Sequence, residues 1–503
     1  MAPLTPVVPR KKVAIIGGGA AGIGALWALN RTHHDVYLYE AADRLGGHTN
    51  TVEFKHDKYK SLVDTGFMVL NTATYPNFLA FLKAVNVPTL PTEMTFGVSR
   101  DHGLFEWAGS SLSAVFTQRR NLLSPRMWRM IFDVIRFNQF ALDLLRLKQE
   151  SEEYTNCTNG SGVYAKRQET IGQYLEREGY SDAFRDDYLI PLTAALWSTS
   201  PDKCLLEFPA VTLVRLLWNH HLLSMASTRP QWLTLKYGAQ SYIDAVMRGF
   251  PPNHLFLNTP VKSIINSDSG RVRLQLENGR TDLYDHVIIA THGNQAHNLI
   301  LPEASYEERD ILSGFQSSKN TVFLHSDISL MPKSRKAWSS WNSITASSAS
   351  SYNVDRGCLT YNMNVLQRIP EEAFGPVLVT LNPLHPPDPG SVQGSYTYSH
   401  PVYNSAAIRS QSLLPQIQNT RGISYCGAWT KYGFHEDGFS SGLQVAQEHL
   451  GAKLPFELKD SPFSRDETPV LRIRDLLLRV LIMVLQMVIL RIEELFMVQR
   501  ARR

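Results

Sequence analysis

Apolar positions along this chain fall into two recurring patterns. Short runs of aliphatic and β-branched residues bounded by glycine or polar turns read as strands, and longer segments with apolar residues three and four apart read as helices. The first strand is Lys12-Val13-Ala14-Ile15-Ile16, which runs into Gly17-Gly18-Gly19-Ala20-Ala21-Gly22 and then into an apolar helical stretch reaching Asn30. Asp35-Val36-Tyr37-Leu38-Tyr39 is a second strand, ending at Glu40. Further strands are predicted at His254 to Leu257, Val261 to Ile264, Val287 to Thr291, Thr321 to His325, Cys358 to Tyr361, Val377 to Leu381 and Ile423 to Gly427. Asn278-Gly279 separates two more, Arg271 to Glu277 and Thr281 to Tyr284, as a hairpin turn. Helices are predicted over Gly238 to Arg248, Ile171 to Tyr180, Gly438 to Leu450 and Pro125 to Leu147, the last too broadly apolar for a single surface stripe and hence a core helix. Ser151 to Arg167 and Leu384 to Gly390 read as loops.

The turn between the first strand and the first helix carries candidate chemistry. Gly17 permits the tight turn, Gly19 lets a pyrophosphate approach the backbone, and Gly22 lets helix and strand pack closely. The helix then begins at Ala20 and Ala21 with free N–H groups aimed at an anion. Glu40 stands eighteen positions after Gly22, followed by Ala41, where a carboxylate accepts hydrogen bonds from an adenosine ribose. Together these features predict a dinucleotide-binding βαβ unit.

Composition narrows the class. With 503 residues, 43% of them hydrophobic, the chain can bury a large core and is expected to divide into two or three domains. A formal charge of +4, much of it terminal, gives no basic face for nucleic acid, which is not an expected partner. The four cysteines, Cys157, Cys204, Cys358 and Cys426, are widely spaced with no zinc-type spacing, so neither a metal site nor a disulfide framework is expected. No secretory signal precedes the first strand, so the expected location is the cytosolic side and not the secreted space.

Four residues after Glu40 begins Arg44-Leu45-Gly46-Gly47-His48, a motif that nicotinamide-binding domains do not usually carry and that shifts the expected cofactor to FAD. With the glycine fingerprint and the C-terminal Gly438-Phe439-Ser440-Ser441-Gly442, it resembles the flavin-containing amine oxidase, protoporphyrinogen oxidase and phytoene desaturase superfamily. Val63-Asp64-Thr65-Gly66-Phe67, Tyr188-Leu189-Ile190-Pro191, Pro230-Gln231-Trp232 and Tyr398-Ser399-His400-Pro401 look like the FAD-dependent oxidoreductases associated with cyclopropane fatty acid synthases. The resemblance covers most of residues 10 to 452. It implies an α/β fold: a Rossmann-type, discontinuous FAD-binding domain in three pieces, residues 1–75, 231–300 and 416–455, with an α+β substrate domain inserted as a mostly helical segment, 76–230, and a strand-rich segment, 301–415. Residues 456–503 remain as a linker, read at Pro462 to Pro469, and a hydrophobic, basic C-terminal helix.

The resemblance also extends the cofactor site. Thr65, Gly66, Ala290 and Thr291 fall where the superfamily approaches the flavin nucleotide, and the Val261 position pairs its backbone with the adenine. Gly427, Asp437, Gly438, Phe439 and Gly442 match the segment that contacts pyrophosphate, ribityl chain and flavin. This chain departs from the family by having Ala428-Trp429 where an acid often follows the strand glycine, which leaves Asp437 as the candidate for the ribityl chain. Cys426, in a buried strand, reads as a small core residue, so the FAD is expected to be non-covalent.

Flavin chemistry takes hydride from a C–H bond beside nitrogen or from a carbon whose neighbour also loses a proton. For an acid or base, His400, His435 and Glu436 are the candidates; Lys319 is near the position of the lysine that amine oxidation would use. Trp197, Trp232, Trp338, Trp341, Tyr361 and Tyr403 could line a pocket for a lipophilic substrate, fatty acyl or polyketide-like. Dehydrogenation of such a chain is the first reading, with amine oxidation, double-bond isomerisation and a non-catalytic flavin-binding membrane protein as alternatives.

Leu471 to Val498 is a long helical pattern with a dense apolar centre and flanking arginines, interrupted by Arg479 and Gln486. Its uninterrupted apolar length is short of the ~20 residues of a spanning helix. It is expected to lie in a membrane interface, the alternative being an amphipathic helix packed on the enzyme or on a partner copy.

Overall fold

The computed structural model describes residues 9–146, 169–197, 206–223, 230–267, 269–348, 354–460 and 469–501. The expected loop Ser151 to Arg167, most of the linker at Pro462 to Pro469, and Cys157 and Cys204 lie outside the described residues.

The strand Lys12–Ile16 sits in the middle of a five-stranded sheet, between Asp35–Tyr39 and His286–Ile289, with Leu255–Phe256 and Ile423–Tyr425 at the edges. All four pairings are parallel. Both faces of this sheet are covered, which is why its strands read as nearly unbroken apolar runs. Val13 and Ile15 pack with the helices Ala20–Leu29 and His435–Leu450 on one side, while Ala14 and Ile16 join a second core on the other. That second core includes residues of the antiparallel ribbon Val261–Asn266, Val272–Leu276 and Thr281–Tyr284.

A larger, seven-stranded sheet carries the other lobe. Five of its strands, Gln316–His325, Trp341–Ser347, Val354–Asn362, Leu378–Leu381 and Val392–Val402, follow one another in sequence. The other two, Phe96–Arg100 and Phe105–Ala108, come from the segment that the apolar pattern reads as mostly helical. Phe96–Arg100 pairs in parallel with Trp341–Ser347, some 245 residues away in the chain, and is buried at every position, so it has no period-two signature to reveal it. The helix Pro125–Phe140 packs on this lobe, with Met127, Met130 and Phe137 in a core shared with Trp197, Trp341 and Tyr403.

The last helix, Ile473–Ala501, contacts Pro125–Phe140. Among the described residues no helix is long and apolar enough to cross a membrane.

Candidate active site

A cavity of about 680 Å³ runs past the carboxyl ends of the parallel strands, touched by Ile16, Tyr39, Ala290 and Gly427. This is where ligands bind open parallel sheets, because the loops there diverge and helix N-termini point inward.

Gly17, Gly19, Ala20 and Ala21 line it, and the glycines have separate tasks. An added Cβ at Gly19 would meet nothing within 4 Å, so the backbone there is open to a ligand. The helix Ala20–Leu29 has no side-chain cap, which leaves its first N–H groups for an anion. At Gly22 a Cβ would lie 1.9 Å from the Gly17 carbonyl oxygen, and at Gly442 it would lie 2.0 Å from that of Ala21. Gly22 and Gly442 are therefore packing glycines that do not line the cavity: one seats the helix on its strand, the other lets His435–Leu450 cross Ala20–Leu29.

Glu40 stands at one end of the cavity, its carboxylate held by the backbone N–H of Gly18 at 2.7 Å and of Ala42 at 2.8 Å. Each oxygen retains capacity for a further donor. Ala41, Val261, Lys262 and Glu277 surround the same end. Gly46, Gly47 and His48 line the middle, and the Gly46 N–H donates to Gly18 to clamp this loop onto the glycine turn. Arg44 stays outside the lining: its guanidinium donates to the carbonyls of Leu45, Gly47 and Thr49 and holds the loop in shape.

Gly66, Ala290, Thr291, Gly427 and Gly438 also reach the cavity, but three further expected contacts, Thr65, Phe439 and Asp437, do not. Thr65 is buried behind it, bonded to the Tyr398 hydroxyl at 2.6 Å and to Asn50. Phe439 is fully buried among Phe78, Phe81 and Tyr242. Asp437 accepts the Phe434 N–H at 3.0 Å, so the helix begins at His435, one turn before the glycine expected to open it. Cys426 is buried in the adjoining core, burial pushes its thiol pKa up, and it is not on the cavity wall.

The far wall is aromatic: Trp197, Trp232, Trp341, Tyr361 and Tyr403, with Phe67, Met68 and Phe434. Trp338 belongs elsewhere, its indole N–H donating to Pro332 under the Arg335 guanidinium. Histidines His48, His292 and His400 meet between the two ends, with the His48 ring centroid 4.8 Å from that of His400 and 5.9 Å from that of His292. Burial pushes all three below the usual imidazole range, His400 to about 4, with repulsion from neighbouring histidines adding to the shift at His48 and His400, so they are neutral near pH 7. Among the described residues, no group of histidine, cysteine and carboxylate side chains is arranged to hold a metal ion.

The proton position on His400 is set from outside the cavity. The Thr321 N–H donates to Asn382 Oδ1 at 2.9 Å, Asn382 Nδ2 donates to Asn320 Oδ1 at 2.7 Å, and Asn320 Nδ2 donates to His400 Nδ1 at 2.7 Å. His400 therefore carries its proton on Nε2. Sequence reasoning missed Asn320 although it adjoins Lys319; strand alternation was the signal, since one of the two neighbours must face inward.

Lys319 is the outward neighbour. It is exposed and absent from the cavity wall, which removes it from the catalytic candidates. Glu436 is removed for a different reason: it is 1% exposed and caps another helix. Its Oε1 accepts from the Asn77 N–H at 3.0 Å and from Ser440 Oγ at 3.0 Å, and its Oε2 accepts from the Phe78 N–H at 2.9 Å, satisfying the start of Pro76–Ala84. His435 does line the cavity, but its ring stacks on Phe67 at 3.7 Å and its Nε2 is buried with no hydrogen-bond partner among the described residues. Burial pushes its pKa down to about 3, and Glu436 is turned away, so His435 is a weak base near neutral pH.

An open glycine cradle, an uncapped helix start, a carboxylate fixed at the nucleotide end and an elongated cavity ending in an aromatic chamber fit FAD. The class this defines is an FAD-dependent oxidoreductase. The chain belongs to the flavin containing amine oxidoreductase family, whose model matches residues 20–325, more than half its length. It is 22% identical over 280 residues to 15-cis-phytoene desaturase of Narcissus pseudonarcissus, a match covering 52% of this chain and 41% of that relative. Among solved structures it is similar to the CLA-producing fatty acid isomerase from P. acnes, with 13% identity, a TM-score of 0.57, and coverage of 87% of this chain and 98% of that one. Cyclohexylamine oxidase from Brevibacterium oxydans IH-35A is similar at 14% identity and a TM-score of 0.58, with the same coverage.

Proposed function

We propose that this oxidoreductase dehydrogenates a lipophilic carbon chain of fatty-acyl type, introducing a double bond. The observation that carries the reading is the division of charge along the cavity. Among the described residues Glu40, Lys262 and Glu277 are its charged side chains, the histidines being neutral, and they gather at the nucleotide end. The opposite end is walled by Trp197, Trp232, Trp341, Tyr361 and Tyr403, with no carboxylate or cation among the described residues. Such a chamber favours apolar surface and leaves an ammonium group without a counter-ion.

Gly19 and the first turn of its helix hold the pyrophosphate, Glu40 the adenosine ribose, and the backbone at Gly427 and Gly438 the portion nearer the flavin. Bound FAD supplies the hydride acceptor. The aromatic wall aligns the chain and excludes water. His400 presents Nε2–H as a hydrogen-bond donor without adding charge. The resemblance to oxidoreductases associated with cyclopropane fatty acid synthases supports this reading, as does the fatty acid isomerase among the similar folds.

Anaerobic titration of the FAD-bound protein tests the proposal, using one panel of fatty acyl compounds and one of primary amines. Loss of oxidised-flavin absorbance with the acyl panel, together with a product two hydrogens lighter, is the expected result. Bleaching by amines alone, with ammonia released, would replace it by amine oxidation.

A further inference from the structure

The helix Ile473–Ala501 is inverted relative to a surface helix of a water-soluble protein. At about 100° per residue, Asp475, Leu478, Arg479, Ile482, Gln486 and Ile489 fall within an arc of about 100°. These are the positions shielded from solvent, and they include every polar residue between Asp475 and Leu490. Arg479 donates to both carboxylate oxygens of Asp143, at 2.9 and 3.0 Å, and to the Gln139 carbonyl, with its guanidinium over the Phe140 ring. The remaining arc, about 220° wide, is apolar throughout. Its members Leu477, Val480, Leu481, Val484, Met487 and Val488 are between 47% and 67% exposed.

We propose that this arc docks on an anionic lipid bilayer, with the helix lying in the boundary between headgroups and acyl chains. A helix packing against one partner covers a stripe of about 100°, which is less than half of this arc, whereas a bilayer covers it all. Charge complements the arrangement on balance: Arg472 and Arg474 outnumber Asp475 at one end, and Arg491, Arg500, Arg502 and Arg503 outnumber Glu493 and Glu494 at the other. Arginines at both ends meet anionic headgroups while the uncharged arc between them enters the acyl region. From Leu476 to Leu490 the helix is about 22 Å long, short of the ~30 Å needed to span. The Arg479–Asp143 pair and the contact with Pro125–Phe140 tie this anchor to the lobe whose core also contains Trp197 and Trp341. The inference does not depend on the substrate reading.

Flotation of the full-length holoprotein tests it, with vesicles of equimolar phosphatidylcholine and phosphatidylglycerol and with vesicles of phosphatidylcholine alone. The anionic vesicles are expected to carry more than about tenfold more protein upward. A Leu481→Asp, Val484→Asp double variant, altered only at exposed positions and checked for unchanged flavin absorbance and melting, is expected to remain unbound. Wild-type protein that fails to float, or a double variant that floats as well as wild type, would overturn the proposal. A discrete dimer in vesicle-free buffer, dissociated by the double variant and unaccompanied by flotation, would assign the arc to a second copy instead.

Discussion

Asn320 donates from Nδ2 to Nδ1 of His400 across 2.7 Å, and so fixes the tautomer of a cavity histidine from the strand paired beside it. A carboxylate at that position would have the opposite effect, accepting a hydrogen bond from a protonated Nδ1 and so favouring the imidazolium. Asn320→Asp is therefore expected to raise the His400 pKa by about 1 to 3 from its depressed position. Histidine NMR titration of the holoprotein reads this directly, and the acid limb of the pH–rate profile should move to higher pH with it. An unchanged titration would mean that Asn320 does not govern the ring.

Gly19 and Gly22 are three residues apart but are expected to fail in different ways. Gly19→Val points into open space, so the chain should fold with normal melting in the absence of flavin yet retain little FAD. Gly22→Ala places a methyl group 1.9 Å from the Gly17 carbonyl oxygen and should destabilise the fold by about 1 to 3 kcal/mol before cofactor binding is considered. Flavin content and thermal unfolding, measured side by side, separate the two; equal flavin loss with equal melting would contradict the division of roles.

Glu436→Ala leaves the N–H groups of Asn77 and Phe78 without their acceptor, at an expected cost of about 2 to 4 kcal/mol. Glu436→Gln, which keeps one acceptor oxygen, should lose less. In both variants turnover per bound flavin is expected to stay near wild type, because the side chain does not reach the cavity. A fall in kcat with unaltered melting would return Glu436 to the chemistry.

Stability should decline on mild acidification. Burial lowers His220, His325 and His400 to about 4, and His286 and His435 to about 3, below the usual imidazole value. Their contribution is complete above about pH 6.5 and is lost as the pH falls through their folded-state values. Burial raises Asp64 and Glu436 to about 7, so their contribution is complete below about pH 4 and is lost as the pH rises through 7. Between pH 7 and 5 these histidines, joined by His48 and His292, outweigh the carboxyl groups that burial raises, Asp64, Glu436 and Asp187, and the net effect is a lower melting temperature at pH 5. Melting curves across that range check the sign.

The cofactor half of the site could be read from local spacing because its requirements are local. A tight turn at Gly17, open backbone at Gly19, a close helix approach at Gly22 and an acid at the end of the next strand are conditions on neighbouring residues within one βαβ unit. The same chain stretch supplies both the pattern and the geometry, and the five parallel strands follow from runs too apolar to face water.

Long-range packing assigned the other roles. Glu436 and His435 adjoin in sequence, yet one caps a helix starting 360 residues earlier and the other stacks on Phe67. Nothing in the spacing distinguishes them, because the deciding partners are remote. Lys319 and Asn320 differ only in which side of the sheet they face, a choice made by pairing with Val392–Val402. The terminal helix makes the same point: its apolar content is evident from composition, but Asp143 determines that Arg479 turns inward and leaves the apolar arc outside. Residue type and local dihedral preference act over a few positions, whereas burial and hydrogen-bond pairing are settled only when distant segments meet.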